Sequence, residues 1–285
     1  MTRFEPDGSA ADAALRALIR RLRTVELERP AAVKPLNKMF ATQLVRGGGS
    51  RPSAYDALAP HYREYSKARR AYLLAVDEIV VSRIAGRARS LLDVGAGDGA
   101  RTDKIARACR VGRLVLAEPS PVMAGYCRGV RGAEVWQTGA EELPMPGEKF
   151  DAVTCLWNVL GHVGTHAKRL AALRRMRALL AEGGLIFLDV NNRYNARTYG
   201  RVKTAARALF DLVRPSETNG DVSFDWEVRG RRIRARGHVF TPVEVKSLIS
   251  GAGLRVREMY VIDYGTGERR CFVFQGQLLF VLEHA

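Results

Sequence analysis

Between Ser90 and Val190 short, mostly apolar runs alternate with helical patterns, and this alternation restricts the fold more than any other feature of the chain. Leu91 to Val94, Leu114 to Ala117, Ala133 to Trp136, Ala152 to Leu156 and Leu185 to Val190 read as strands. Helices are expected from about Thr102 to Cys109, from Pro121 to Arg128 and from Thr165 to Leu180, the last closed by Gly183 and Gly184. Strands that are apolar on both faces have to be covered on both, and a helix after each strand supplies the crossover a parallel pair needs. Two further strands, Leu254 to Asp263 and Gln277 to Glu283, follow a helix capped by Thr241 with Pro242 at its first position. The expectation is an α/β chain with a doubly wound, mostly parallel, seven-stranded sheet.

Around that core the chain divides as follows. Residues 1–50 form a helical extension: Ser9 with Asp12 is a capping box, and Leu15, Leu18, Ile19, Leu22 and Val25 share one helix face. Residues 51–88 read as a helical lid, 89–190 as the core, 191–240 as an insert, and 241–285 as the closing helix and strands. Within the insert, Val222 to Val239 reads as a hairpin turning near Gly230. Arg232, Arg234 and Arg236 fall on the same hairpin face as Asp225 and Glu227, so pairing across the strands neutralises part of the basic stripe.

Composition excludes several classes. At 47% hydrophobic and 27% charged residues the 285-residue chain is globular. Its apolar runs are too short to cross a membrane. Cys109, Cys127, Cys155 and Cys271 contain no CxxC pair, which argues against a zinc site or a disulfide frame and for a reducing, cytoplasmic compartment. The net charge of +16 admits nucleic acid, an anionic surface or an acidic substrate as partner, but the arginines are scattered along the chain.

The chemistry centres on Leu91-Leu92-Asp93-Val94-Gly95-Ala96-Gly97-Asp98-Gly99. A glycine turn after a first strand lets a ligand approach the backbone at the carboxyl edge of the sheet. Taken alone it fits a dinucleotide fold equally well, since Gly95, Gly97 and Ala100 satisfy that fingerprint and Glu118 suits the ribose of either cofactor.

The stretch resembles motif I of the class I S-adenosylmethionine-dependent methyltransferases, in which an acid stands two residues before the first glycine, as Asp93 does. Leu114 to Pro119 resembles the family's second strand, with Glu118 placed for both ribose hydroxyls. Thr138 to Pro144 resembles its adenine loop, although Gly139 stands where members often carry an acid. Phe150 to Cys155 followed by Trp157 to His162 resembles its fourth strand, and Leu179 to Gly184 its turn into the fifth. The resemblance implies S-adenosyl-L-methionine as cofactor, held by Asp93, Gly95, Ala96, Gly97, Gly99, Glu118, Pro119, Ala140, Glu141, Trp157, Asn158 and Arg70. It also implies methyl transfer to an O or N atom of a small-molecule acceptor, possibly anionic. His162, Asn158, Tyr55 and Tyr62 are the catalytic candidates, and no metal is expected. Asn191, Asn192, Arg193, Tyr194 and Tyr199 follow the fifth strand at the same edge and suggest acceptor binding. A tRNA or rRNA methyltransferase, and a non-catalytic protein that binds the cofactor, are the alternatives.

Overall fold

The computed structural model describes residues 54–228 and 230–285, so the extension expected over 1–50 lies outside the described residues. Three helices come first: α1 (Ala54–Leu58), α2 (Tyr62–Lys67) and α3 (Arg70–Ile84). Pro60 lies between the first two, in a 3-10 turn over Ala59–His61, because a proline cannot continue a helix it does not begin. The core follows as β1 (Ser90–Val94), α4 (Ala100–Cys109), β2 (Arg113–Ala117), α5 (Pro121–Cys127), β3 (Ala133–Trp136), β4 (Phe150–Cys155), α6 (Val159–His162), α7 (His166–Leu179) and β5 (Leu180–Val190). Beyond it come α8 (Ala196–Tyr199), α9 (Arg201–Val213), the hairpin β6 (Asp221–Val228) and β7 (Arg231–His238), α10 (Pro242–Gly251), β8 (Leu254–Ile262), β9 (Arg269–Arg270) and β10 (Gln277–His284).

The main sheet runs β3-β2-β1-β4-β5-β10-β8-β9. It has eight strands where the sequence suggests seven; the added one is the two-residue β9, which pairs with Val261 and Ile262. β1 to β5 are parallel, while β10 lies antiparallel between β5 and β8. The direction of the strand order reverses between β1 and β4, the place where an open α/β sheet opens a crevice beyond its strand ends.

Apolar packing covers both faces. On one side Leu92, Val115, Val153, Ile186 and Phe280 pack with Leu173 and Met176 of α7 and Leu248 of α10. On the other Leu91, Leu116, Phe187 and Leu279 pack against Val76, Ile79 and Val80 of α3 and Ile105 of α4. Each such side chain withdrawn from water stabilises the fold by about 1.5–3 kcal/mol, before the cost of ordering it.

Local outcomes differ from the sequence reading at two places. Gly183 and Gly184 do not separate helix from strand: α7 stops at Leu179, β5 starts at Leu180, and Gly183 (φ +71°) sits within it beside a break in register between Phe150 and Ala152. The polar stretch after Val190 holds α8 and α9, with the Asn195 side chain capping α8 by accepting from the N–H groups of Arg197 and Thr198. The hairpin follows expectation, with Asp225 opposite Arg234 and Glu227 opposite Arg232. Of the described helices none is long and apolar enough to cross a membrane.

Candidate active site

The loop from β1 into α4 has left-handed backbone at Gly95 (φ +76°), Gly97 (φ +59°) and Gly99 (φ +72°), a region that L side chains enter only with strain. Gly95 and Ala96 donate N–H bonds to the Ala117 carbonyl, which ties the loop to the end of β2. Glu118, the next residue, accepts from Gly97 N–H and from Ser120 N–H, each at 2.9 Å. Its carboxyl is buried, and desolvation raises its pKa to about 7 although the two N–H bonds favour the anion. Asp93 is also buried; its carboxylate accepts from Thr154 at 2.6 Å and from the Thr102 hydroxyl, so it braces the loop from behind.

At the end of β4 the chain turns through two consecutive non-glycine residues in the left-handed region, Trp157 (φ +60°) and Asn158 (φ +62°). Such a conformation costs of order 1–3 kcal/mol per residue and persists where neighbours over-determine it. Here Asp189 supplies the restraint. Its carboxylate accepts from Trp157 N–H at 2.9 Å and from the Tyr72 hydroxyl at 2.5 Å, and its carbonyl accepts from Asn158 N–H. The Asn158 side chain accepts from Asn191 N–H at 2.9 Å and donates to the His238 carbonyl at 3.2 Å. Asn158 is thereby a fixed corner joining β4, β5 and the hairpin.

Above this corner an aromatic wall closes the edge. Trp157 stacks on Tyr65 with ring centroids 5.7 Å apart, meets Tyr62 at 5.8 Å, and donates its indole N–H to Tyr264. Trp226 of β6 meets Tyr55 at 5.1 Å and Tyr65 at 5.9 Å. His162 lies edge-on to Tyr55 at 5.2 Å and also faces Phe224 and Trp226. Its Nδ1 is 3.1 Å from the Arg236 carbonyl, an acceptor, so that nitrogen carries the proton and Nε2 keeps its lone pair. Desolvation pushes the imidazole below its ordinary pKa, which keeps it neutral at pH 7.

The structure thus gathers Gly95, Ala96, Gly97, Gly99, Glu118, Trp157, Asn158, Tyr55, Tyr62 and His162 at one carboxyl edge. Tyr62 lies directly over the loop: a β-carbon placed on Gly97 would be 2.8 Å from its hydroxyl oxygen. The other predicted residues lie further out or are already engaged. Pro119 is exposed, Ala140 is buried in a 3-10 turn, and Glu141 of that turn pairs with Lys168 at 3.1 Å. Arg70 is exposed at the start of α3, beside a cavity of about 490 Å³ that Tyr62, Arg101 and Trp157 also line. Of the residues after β5, Asn192 bonds the Val273 and Gly276 carbonyls, and Arg193 and Tyr194 both bond Asp211, so they hold the insert together.

Sequence reasoning missed Asp189, Trp226 and Tyr264. Asp189 had a signal, since it is the one acid in the apolar run from Leu185 to Val190. Trp226 and Tyr264 had none, because they reach the edge only through the path of the hairpin and of the loop after β8.

Residues 91–184, which run from β1 into the first half of β5, match the methyltransferase domain family. None of the curated proteins compared is similar in sequence. Among solved structures the fold is similar to that of the CcbJ methyltransferase of Streptomyces caelestis, at 16% identity and a TM-score of 0.63 over 82% of this chain and 99% of that one. It is similar also to CalS10, an amino pentose methyltransferase from Micromonospora echinaspora solved with S-adenosylmethionine bound, at 23% identity, a TM-score of 0.53, and 84% and 100% of the two chains. KedS8, a sugar N-methyltransferase from a Streptoalloteichus species, follows at 19% identity and 0.54 over 86% and 99%. At such identities the solved structures speak for the fold, and the domain match speaks for the chemistry at its edge. Over residues 91–184 the chain therefore matches a methyltransferase domain, carried on a fold like that of the class I methyltransferases.

Proposed function

We propose that the chain methylates an amine nitrogen of a small-molecule acceptor that sits between the Trp157–Asn158 corner and the hairpin. The observation that carries this reading is His162, whose Nδ1 is held by the Arg236 carbonyl at 3.1 Å while its ring packs among Tyr55, Trp226 and Phe224. Aromatic faces favour a cationic or polarised amine, and a positioned imidazole takes the proton that the amine must lose. The solved proteins named for an amino pentose and for a sugar nitrogen support the same acceptor class.

The residues at the glycine loop suit the cofactor. Gly97 puts no β-carbon between the loop and Tyr62, so a ligand can approach the backbone there, and Glu118 presents a buried carboxylate to ribose hydroxyls. Asp93 acts through Thr102 and Thr154, Trp157 supplies a wall, and Ala140 with Glu141 borders the adenine side. When bound, the cofactor supplies a methyl group on a sulfonium whose leaving group is a neutral thioether. The protein's share is therefore mostly alignment and exclusion of water.

Mass spectrometry with deuteriomethyl-labelled cofactor and a panel of amines, alcohols and RNA tests the reading. Label should enter amines only, on nitrogen. Label in alcohols would assign an O-acceptor, and sequence-selective label in RNA would replace the small-molecule reading altogether. Non-specific RNA association should disappear as salt rises, because it is driven by counterion release.

Glu118 gives a second expected result. Hydroxyl donors bond the carboxylate better than the neutral acid, and in the free protein this carboxyl is half protonated near pH 7. Binding of S-adenosylhomocysteine should therefore release protons and tighten as pH rises through about 7, with a plateau above. Glu118→Gln should flatten that profile and weaken binding by about 1.5–3 kcal/mol. Calorimetry in buffers of different ionisation enthalpy reads both; unchanged affinity and no proton release would remove Glu118 from the site.

A further inference from the structure

Helix α9 presents its polar side to the protein and its apolar side to the outside. The inward face, at helical spacing, is Thr204, Arg207 and Asp211. Asp211 accepts from Arg193 at 2.6 Å, from the Tyr194 hydroxyl at 3.0 Å and from the Asn219 amide at 3.0 Å, while Arg207 lies over the Tyr199 ring. These contacts fix the rotation of the helix. Opposite them stand Val202 (86% exposed), Leu209 (63%), Leu212 (79%) and Val213 (68%), with Phe210 half in view. A water-facing helix normally reverses this arrangement. Phe272 and Phe274, exposed and stacked 5.5 Å apart, lie on the turn that packs against α8, the short helix leading into α9.

Charge selects the occupant. Arg201 and Lys203 lie on either side of the stripe in its first turn, Arg214 stands just past its last, and all three are exposed. The one acid of the helix, Asp211, is turned inward. A second copy docked through this face would bring like charges together in either helix direction: Arg201 and Lys203 against themselves, or against Arg214. In a chain of net charge +16 that contact is opposed. A helix about 20 Å long, proud of the surface, apolar outward and rimmed by arginine and lysine, fits an anionic lipid surface.

We propose that α9 and the Phe272–Phe274 turn seat the protein on anionic membranes, with Leu209 and Leu212 entering the acyl boundary and Arg201, Lys203 and Arg214 at the headgroups. The inference is independent of the acceptor and of the roles assigned at the glycine loop.

Co-sedimentation of the full chain with vesicles of equal parts phosphatidylglycerol and phosphatidylcholine tests it. The chain should pellet with these and not with phosphatidylcholine alone, and the bound fraction should fall as salt shortens the Debye length. The double variant Leu209→Glu, Leu212→Glu should lower the affinity for the mixed vesicles at least about tenfold, while Val243→Glu, an exposed site on α10, leaves it unchanged. Calorimetry with S-adenosylhomocysteine should show the double variant to be folded and able to bind cofactor. No pelleting with the mixed vesicles, or equal pelleting of the double variant, overturns the proposal. A dimer that the double variant dissociates, without vesicle binding, would assign the face to a second copy instead.

Discussion

Gly97→Val should remove measurable S-adenosylhomocysteine binding, a loss of at least about 100-fold or roughly 2.7 kcal/mol. Two separate effects add at this position. A β-branched residue at φ +59° is strained by about 1–3 kcal/mol, and relief of that strain rotates the N–H that donates to Glu118. The new β-carbon would also lie 2.8 Å from the Tyr62 hydroxyl oxygen, so Tyr62 or the loop has to shift, and the valine side chain projects where a ligand would approach the backbone. Gly132→Val separates the two effects. Gly132 is also left-handed, at φ +78°, but nothing lies within 4 Å of its would-be β-carbon. It should lose thermal stability and keep its cofactor affinity. Full affinity in folded Gly97→Val protein would show that the ligand does not approach this loop.

Why the loop was legible in the sequence and other parts were not has a physical basis. Gly95, Gly97 and Gly99 each answer a backbone requirement that only glycine meets cheaply, so the requirement shows in the residue type. The hairpin was equally legible, because strand period two places Arg232 and Arg234 with Glu227 and Asp225 whatever the surrounding fold. Helix α9 is the opposite case. Its apolar stripe, read by periodicity, would be assigned to a core, whereas Asp211 and Arg207 anchor the opposite face. The left-handed turn at Trp157 and Asn158 was invisible for the converse reason. Asparagine enters that region more readily than most residues but tryptophan does not, and it is Asp189, over 30 positions away, that holds both there. Likewise Asn192, Arg193 and Tyr194 have the composition of a binding loop, but their polar atoms are spent on Val273, Gly276 and Asp211.

His162→Ala should lower kcat by about 100-fold while changing cofactor affinity little. Nδ1 donates to the Arg236 carbonyl, so the imidazole is oriented by the hairpin and its Nε2 can take a proton. Burial lowers its pKa, so the base form prevails at pH 7 and is lost only as pH falls through a value under about 6.5. The pH–rate profile should therefore carry an acid limb below that point, and His162→Ala should lose the limb along with the rate. Alignment by the Trp157–Asn158 corner remains in the variant, which should stay well above the uncatalysed rate. Tyr55→Phe is the control: its ring packs on His162, but burial holds its phenol far above the neutral range, so the variant should keep most of the rate and the whole profile. A drop of tenfold or less in His162→Ala, with the limb intact, would leave alignment alone as the protein's contribution. A limb lost in Tyr55→Phe instead would move the proton acceptor to the phenol.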